Sequence, residues 1–138
     1  MQTFLPFPDF GTTGTVLDYR RLGKQRVEVI QILNALFDPT KGWKNHPATK
    51  MWRGHENTLV TYGLEICASW IDRGYKDTCY DKIKIFWNKN PNSTIPEWLG
   101  NEDFHRSHRR ALLFKNQQHY EPYFPNEVPE LNYIWPVK

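Results

Sequence analysis

The chain has 138 residues, a length typical of one domain with its own hydrophobic core, and we expect residues 1–138 to form a single domain. Its 18 lysines and arginines exceed its 15 aspartates and glutamates, and the net charge of +3 is compatible with a nucleic-acid partner. Two cysteines are too few for a disulfide framework and no apolar run is long enough to span a membrane, which argues against a disulfide-rich secreted domain and an integral membrane protein. We therefore expect a cytoplasmic protein with free thiols and no membrane partner.

The first segment is unsuited to a long helix. Residues 1–16 contain two prolines and two glycines, so we predict an extended, aromatic-rich arm that leads into the first helix near Thr15. Residues 17–37 then place apolar side chains at spacings of three and four, which predicts one long helix with an apolar stripe. We expect this helix to end near Asp38, because Pro39 disfavours helical geometry in the residue before it.

A loop and a second helix follow. Residues 39–54 are typical of a loop with one short helical turn, which Pro47 would begin. Residues 55–73 carry apolar side chains on two sides, which indicates a helix that is largely buried. Gly63 inside this helix predicts close approach by another helix, and Gly74 predicts the end of the helix.

The last third of the chain predicts two more helices. Residues 77–87 are typical of a short helix with Asp77 as its N-cap, and residues 88–100 are typical of a loop. Asn101 is the expected N-cap of a third long helix, and residues 115–138 are expected to wrap irregularly over the helices. The predicted fold is all-α, a compact single domain of three main helices with long loops and a tail rich in aromatic residues and proline.

One half of the first predicted helix carries a concentration of charge. Arg21, Lys24 and Gln25 precede Glu28 by seven, four and three residues, so all four lie on the same side of the helix. A carboxylate among cations is poorly suited to a core and well suited to a site that binds a polyanion. The alternative is a solvated face with a Lys24–Glu28 ion pair, which would contribute only about 0.3–0.5 kcal/mol.

A second basic cluster, HRSHRR, lies near the start of the third long helix. His105, His108 and Arg109 belong to it, and the two basic clusters, RRLGKQRVE and HRSHRR, could together with Arg53 line one groove that binds phosphates. His105 and His108 are three residues apart, but no third ligand has metal-site spacing, so we expect neither a metal ion nor another cofactor. The alternative is again a solvated helix face.

The loop before the second helix combines aromatic and cationic residues, namely Trp43, His46, Trp52 and Arg53. Aromatic side chains with neighbouring cations can stack on nucleobases and hold phosphates. The alternative is that the two tryptophans close the core.

Glu28 is the strongest candidate for chemistry, because a carboxylate among cations could stabilise a positively charged sugar-like transition state or activate a water molecule. It could equally serve as an ion-pair partner.

Several segments resemble one known family. MQTFLPFPDF, RLGKQRVE, NHPATKMWRG and FHRSHRR are similar to segments of a bacterial and phage branch of the pyrimidine-dimer DNA glycosylase family, the phage endonuclease V type. The resemblance implies an enzyme that binds damaged duplex DNA, extrudes a nucleotide and cuts the bond between base and sugar. In the family, the terminal α-amino group attacks C1′ and forms an imine, a glutamate on the first helix assists, and β-elimination then nicks the strand. An α-amino group is partly uncharged near neutral pH and can act as a nucleophile.

The chain departs from the family pattern at two positions. Gln2 is too bulky for normal removal of the initiator methionine, so the amine would be that of Met1. Arg21 stands at the position of the family glutamate if YRR is matched to the family's YRE, and Glu28 lies two turns later on the same face. A glycosylase that uses water instead of the amine would fit both departures.

The resemblance and the residue patterns together define an expected site. Its catalytic residues are Glu28 and Met1. The DNA backbone would be held by Arg20, Arg21, Lys24, Arg53, His105, His108 and Arg109, and the extruded base would lie near Gln25, His46 and Trp52. The predicted function is excision of a damaged or modified pyrimidine from double-stranded DNA by a monomer, with AP-lyase activity left open. The alternatives are a DNA-binding module without activity and an enzyme that acts on a free modified nucleotide.

Overall fold

Helices account for the regular secondary structure of the computed structural model, which describes residues 1–38, 40, 42–88 and 94–137. The α-helices are α1 (Phe10–Val16), α2 (Tyr19–Phe37), α3 (Pro47–Lys50), α4 (Glu56–Asp72), α5 (Tyr80–Lys84), α6 (Glu102–Lys115) and α7 (Gln117–Tyr120), and a 3₁₀ helix spans Ile85–Asn88. No strand occurs within these described ranges, so the all-α prediction is confirmed. That residues 1–138 form one domain stays a prediction.

The three long helices α2, α4 and α6 correspond to the three main helices predicted from the sequence. α2 ends just before Asp38, and α3 begins at Pro47, as expected. Gly74 follows α4 with a φ of +90°, the left-handed geometry that glycine adopts at helix ends. Asn101 caps α6, because its side chain accepts a hydrogen bond from the Phe104 amide at 3.0 Å.

The core lies between α2 and α4, which approach closely at Gly63. A Cβ atom added to Gly63 would lie 2.7 Å from Cγ1 of Val29 and 3.1 Å from Cδ1 of Ile83. The predicted close approach at this glycine is therefore confirmed. Aromatic side chains fill part of the same core, where Trp52 and Tyr62 are fully buried.

The arm at the start of the chain is shorter than predicted, because Phe10–Val16 forms α1. The glycines that argued against a helix here allow α1 to pack tightly on α4. A Cβ added to Gly14 would lie 2.2 Å from the Ser69 hydroxyl oxygen. The first long helix also begins at Tyr19 rather than near Thr15, since Asp18 adopts extended geometry and caps α2 with its side chain.

Two elements near the end of the chain differ from the prediction. α5 begins at Tyr80, although Asp77 still accepts a hydrogen bond from the Tyr80 amide at 2.7 Å. The tail contains the short helix α7, where no regular element was expected. The side chain of Asn116 caps this turn by accepting a hydrogen bond from the His119 amide at 3.2 Å.

Other sequence-based expectations concern the loop and the thiols. Residues 94–100 have no helix or strand, in agreement with the loop predicted over residues 88–100, while residues 89–93 lie outside the described residues. Cys67 and Cys79 are free, as expected, and both are buried. In the described part of the chain, no helix combines the length and the apolar character that crossing a membrane requires. The cytoplasmic location stays a prediction.

Residues 1–9 form an extended segment, here called the N-terminal arm, which α6 holds through two histidines. His105 Nδ1 lies 2.7 Å from the Leu5 carbonyl oxygen, and the Leu5 amide donates to His108 Nδ1 at 3.0 Å. His105 Nε2 accepts a hydrogen bond from the Gly100 amide at 2.8 Å, so its Nδ1 carries the proton that is donated to the arm. The neutral His105 ring therefore carries its proton on Nδ1, facing the Leu5 carbonyl oxygen. The neutral His108 ring carries its proton on Nε2, because its Nδ1 accepts from the Leu5 amide.

The burial of these histidines corrects their expected role as DNA ligands. His105 is 1% exposed and His108 is 0% exposed, so neither ring has a free edge for a phosphate. Burial lowers the pKa of both side chains, and burial together with the neighbouring His105 lowers that of His108 to about 3. Both imidazoles are neutral near pH 7 and act as internal hydrogen-bonding groups.

Gly63→Ala should lower the free energy of unfolding by about 2 kcal/mol. Overpacking costs about 1–3 kcal/mol and a contact of 2.7 Å is severe, whereas the better helix propensity of Ala recovers only about 1 kcal/mol. Denaturant unfolding measures the change. Gly42→Ala is the control, because an added Cβ there meets no atom within 4 Å. Equal unfolding midpoints for the two variants would contradict the close approach.

The protein should lose stability in acid because His108 is buried without charge. Its folded pKa of about 3 lies below the ordinary value of 6.5, so between these values the unfolded chain binds a proton that the folded chain does not. The free energy of unfolding should therefore fall as the pH decreases from about 6.5 towards 3. His108→Gln, whose carbonyl oxygen can still accept the Leu5 N–H, should reduce this slope in denaturant titrations at several pH values. The same slope in both proteins would refute the assignment.

Candidate active site

The first residues of the N-terminal arm lie against α2, where two side chains three positions apart bind Gln2. The Gln2 amide donates to Glu28 Oε2 at 3.2 Å. Gln25 Nε2 donates to the Gln2 carbonyl oxygen at 2.7 Å, and Gln25 Oε1 accepts from the Phe4 amide at 2.8 Å. α2 therefore binds both peptide groups of Gln2 and fixes the start of the arm.

These contacts restrict the position of the α-amino group of Met1. The amino nitrogen precedes the Gln2 amide nitrogen by one residue, so the two nitrogens are at most about 3.7 Å apart. The same amide nitrogen is 3.2 Å from a Glu28 carboxylate oxygen. The amine therefore lies within about 7 Å of that oxygen, which is the sum of the two distances. An amine and a carboxylate share one site.

A cavity of about 350 Å³ opens at this site. Four of the described residues that line it are cationic, namely Arg20, Arg21, Lys24 and Lys115. The others are Met1, Gln2, Phe4, Gln25, Glu28 and Tyr133. The side chain of Glu28 is 12% exposed and that of Lys24, whose Nζ lies 3.5 Å from Glu28 Oε1, is 77% exposed. The carboxylate thus lies inside the cavity, and the lysine lies at its rim.

The charges around the cavity act on the groups that line it. Partial burial and the positive charges of Arg21 and Lys24 lower the pKa of Lys115, and Glu28 acts in the opposite direction. Burial raises the pKa of Tyr133 to about 12, so its hydroxyl stays protonated near neutral pH. A concave surface with several cations and one carboxylate has a field that favours an anionic ligand.

His46 lies near the same charges without lining the cavity. Burial is the main reason that its pKa is lowered, the positively charged N-terminus lowers it further, and Glu28 opposes this. Its Nδ1 accepts a hydrogen bond from the Ala48 amide at 3.0 Å, so the neutral ring carries its proton on Nε2. The ring contacts Trp43 and Trp135 edge to face, with centroid distances of 5.6 and 5.8 Å.

The other two residues expected near an extruded base support the arm instead. Gln25 lines the cavity, but it is only 1% exposed and both ends of its amide are bonded to the arm. Trp52 is fully buried and its Nε1 donates to the Thr3 hydroxyl at 3.0 Å. Trp52 therefore lies behind the arm, inside the core.

Arg53 and Arg109 are not among the residues that line the cavity. Arg53 is exposed and donates to the Lys44 carbonyl oxygen at 2.9 Å. Arg109 donates to the Pro6 carbonyl oxygen at 2.9 Å and pairs with Glu127 at 2.8 Å. The two basic clusters do not meet in one groove, because the second cluster holds the arm and the tail.

The structure adds four cavity residues that were absent from the expected site: Gln2, Phe4, Lys115 and Tyr133. Lys115 had one sequence signal, since it is a cation at the end of the helix that carries the second basic cluster. Tyr133 comes from the irregular tail, where no periodic pattern indicates which surface a side chain contacts. Among the described residues, no group of three or more histidines, cysteines and carboxylates could hold a metal ion.

Comparison with known proteins identifies one family. The sequence model of the family described as pyrimidine dimer DNA glycosylase matches residues 1–83, which is more than half of the chain. The matched segment contains the arm, α2 and α4, and with them Met1, Gln25 and Glu28. No curated protein and no solved structure matches the chain. The chain therefore belongs to the pyrimidine dimer DNA glycosylase family.

Proposed function

We propose that the protein excises a damaged or modified pyrimidine from double-stranded DNA, with the amino group of Met1 as nucleophile and Glu28 as the assisting carboxylate. One observation carries this proposal. The Glu28 carboxylate accepts a hydrogen bond at 3.2 Å from the amide of Gln2, the residue that follows the amine. Both groups lie at a cavity whose lining includes four cationic residues. The proposed nucleophile and the carboxylate would thus lie beside a surface suited to DNA.

The chemistry requires an uncharged amine at C1′ of the sugar. As the bond from the Met1 nitrogen to C1′ forms, the bond from C1′ to N1 of the base breaks, and its electron pair leaves with the base. Glu28 would accept the proton that the nitrogen loses and would stabilise positive charge on the sugar. The nitrogen then forms a double bond to C1′ as the C1′–O4′ bond breaks and O4′ takes the proton back from Glu28, which opens the sugar ring and gives an imine. Loss of a C2′ proton to water forms a C2′–C3′ double bond as the C3′–O bond to the 3′ phosphate breaks, which is the β-elimination.

The cationic residues of the cavity would bind the phosphates on either side of the reacting nucleotide. Arg20, Arg21, Lys24 and Lys115 supply this charge, and phosphate contacts position a strand without reading its sequence. C1′ of a stacked nucleotide in a duplex cannot reach a recessed amine, so the nucleotide would be extruded at a cost of a few kcal/mol. We also propose that the protein acts as a monomer.

The alternatives explain fewer features of the site. A DNA-binding module without activity would use the cations but gives no reason for a carboxylate fixed beside an amine. An enzyme for a free nucleotide would favour an enclosed pocket, whereas this cavity has an exposed lysine at its rim. A glycosylase that activates water with Glu28 would use the same carboxylate without the amine, and an imine test separates it from the proposed enzyme.

Glu28→Gln should lower the rate of base release at least 100-fold, because loss of a positioned acid–base group costs about 10²- to 10⁴-fold. The glutamine side chain has nearly the same shape and can still accept the Gln2 N–H. A single-turnover assay on a duplex with one thymine dimer measures base release, which is scored as free thymine after photoreversal, because the cyclobutane ring otherwise keeps the cut base joined to its neighbour. Glu65→Gln is the matched control, because Glu65 is exposed on α4 and does not line the cavity.

Borohydride trapping on the same duplex tests the amine. The unchanged protein should form a covalent adduct with the DNA, since borohydride reduces an imine to a stable amine. Base release without any adduct would contradict the role of the amine and would support the glycosylase that activates water with Glu28. Full base release by Glu28→Gln would refute the proposed role of the carboxylate.

Arg20→Gln should weaken DNA binding in a manner that depends on salt. Each phosphate contact contributes about −0.9 to the slope of log affinity against log salt, so loss of one contact should make the slope less steep by about 1. Fluorescence anisotropy of a labelled undamaged duplex at several salt concentrations gives the slope. Lys82→Gln, at an exposed position of α5 that does not line the cavity, should leave the slope unchanged. Equal effects of the two substitutions would contradict a binding surface at the cavity.

A further inference from the structure

Gln2 is more buried and makes more hydrogen bonds than residues near the start of a chain usually do. Its amide donates to Glu28, its carbonyl oxygen accepts from Gln25, and the residue is only 5% exposed. It also lines the cavity, between the residue that carries the amine and the rest of the arm. Both backbone polar groups of Gln2 are therefore bonded before a ligand enters.

The side chain of Gln2 is oriented by one further hydrogen bond. The Thr3 amide donates to Gln2 Oε1 at 2.9 Å, which identifies the oxygen end of the carboxamide, since an N–H group cannot donate to the NH₂ end. The nitrogen end, Nε2, is buried and has no hydrogen-bond partner among the described residues. A buried donor without an acceptor is unfavourable and needs an explanation, and Gln2 is one of the residues that line the cavity.

We propose that Nε2 of Gln2 donates a hydrogen bond to the 2-carbonyl oxygen of the pyrimidine that leaves. This inference rests on the proposed function and deepens it. The amine of Met1 attacks C1′, N1 of the base is bonded to C1′, and the 2-carbonyl is on the ring carbon next to N1. A donor on the residue next to the nucleophile can therefore reach the oxygen of the base that lies nearest the breaking bond.

This hydrogen bond would be strongest as the bond between C1′ and the base breaks. When the C1′–N1 bond breaks, its electron pair enters the pyrimidine ring and negative charge spreads onto the 2-carbonyl oxygen. An N–H donor binds an anionic oxygen more strongly than a neutral one, and a donor fixed beforehand needs no reorganisation. Gln2 keeps its proton throughout, and the departing base takes a proton from solvent. The substrate class is then a base with a carbonyl next to its glycosidic nitrogen.

Two substitutions test the donor. Gln2→Met removes it at similar length, and Gln2→Glu replaces the NH₂ group by an oxygen while it keeps an acceptor for the Thr3 amide. Both residues are large enough to retain Met1, which small residues at this position would not be. Gln31→Met, on the exposed side of α2, is the matched control. Denaturant unfolding checks that all three variants fold.

Each variant is assayed on two duplexes, one with a thymine dimer and one with a preformed abasic site. We expect both Gln2 variants to release the base about 100-fold more slowly, in the range reported for loss of one donor to a developing oxyanion. Borohydride trapping on the abasic duplex should stay within about threefold of the unchanged protein, because no base leaves in that reaction. A purely structural role in the arm would slow both reactions equally.

The outcomes separate this inference from the proposed function. Unchanged base release by both folded variants, or equal losses on the two duplexes, would overturn the role of Gln2 and leave the proposed function intact. If the protein without substitutions neither releases a base nor forms an adduct, both the role of Gln2 and the proposed function are overturned.

Discussion

Hydrogen bonds from helix side chains to the backbone of the N-terminal arm are the constraint on which the whole site depends. An extended segment inside a protein must satisfy its N–H and C=O groups, and a neighbouring strand usually does this. Here the side chains of Gln25, Glu28, His105 and His108 take the place of that strand. A glutamine amide suits this task because it has one acceptor end and one donor end, like the peptide group that it replaces.

The side chains on one face of α2 divide the work according to their burial. Gln25 is 1% exposed and neutral, the Glu28 side chain is 12% exposed, and the Lys24 side chain is 77% exposed. The buried residue Gln25 is thus uncharged, and the carboxylate of Glu28 lies at the cavity. The positive charge of Lys24 lies at the exposed rim, where DNA would bind. This order avoids the cost of an unpaired buried charge and keeps one ionisable group beside the amine. The neutral imidazoles of α6 follow the same rule on the other side of the arm.

Local signals in the sequence were sufficient to predict the three long helices but not α1 and α7, because caps and breakers act within a few residues. Asn101, Gly74 and Pro47 have the predicted roles. Helical spacing also grouped Arg21, Lys24 and Gln25 with Glu28, and all four line the cavity.

What the sequence could not reveal was the contact of the arm with the two histidines of α6, since they lie about 100 residues away from Leu5 along the chain. His105 and His108 sit in a run of arginines that is typical of a phosphate-binding surface, and residue type alone does not distinguish an imidazole that faces solvent from one that holds a buried backbone. Gly14 argued against a helix by propensity, yet its lack of a side chain is what lets α1 pack on α4.

The burial of Gln2 has a practical consequence for anyone who handles this protein. Since the second residue is buried and Met1 lines the cavity, anything joined to the nitrogen of Met1 begins at the cavity. A purification tag at that end would also convert the amine into an amide, whose lone pair is delocalised and not nucleophilic. A tag at the opposite end leaves this amine free, so the choice of expression vector decides whether the proposed amine chemistry can be tested.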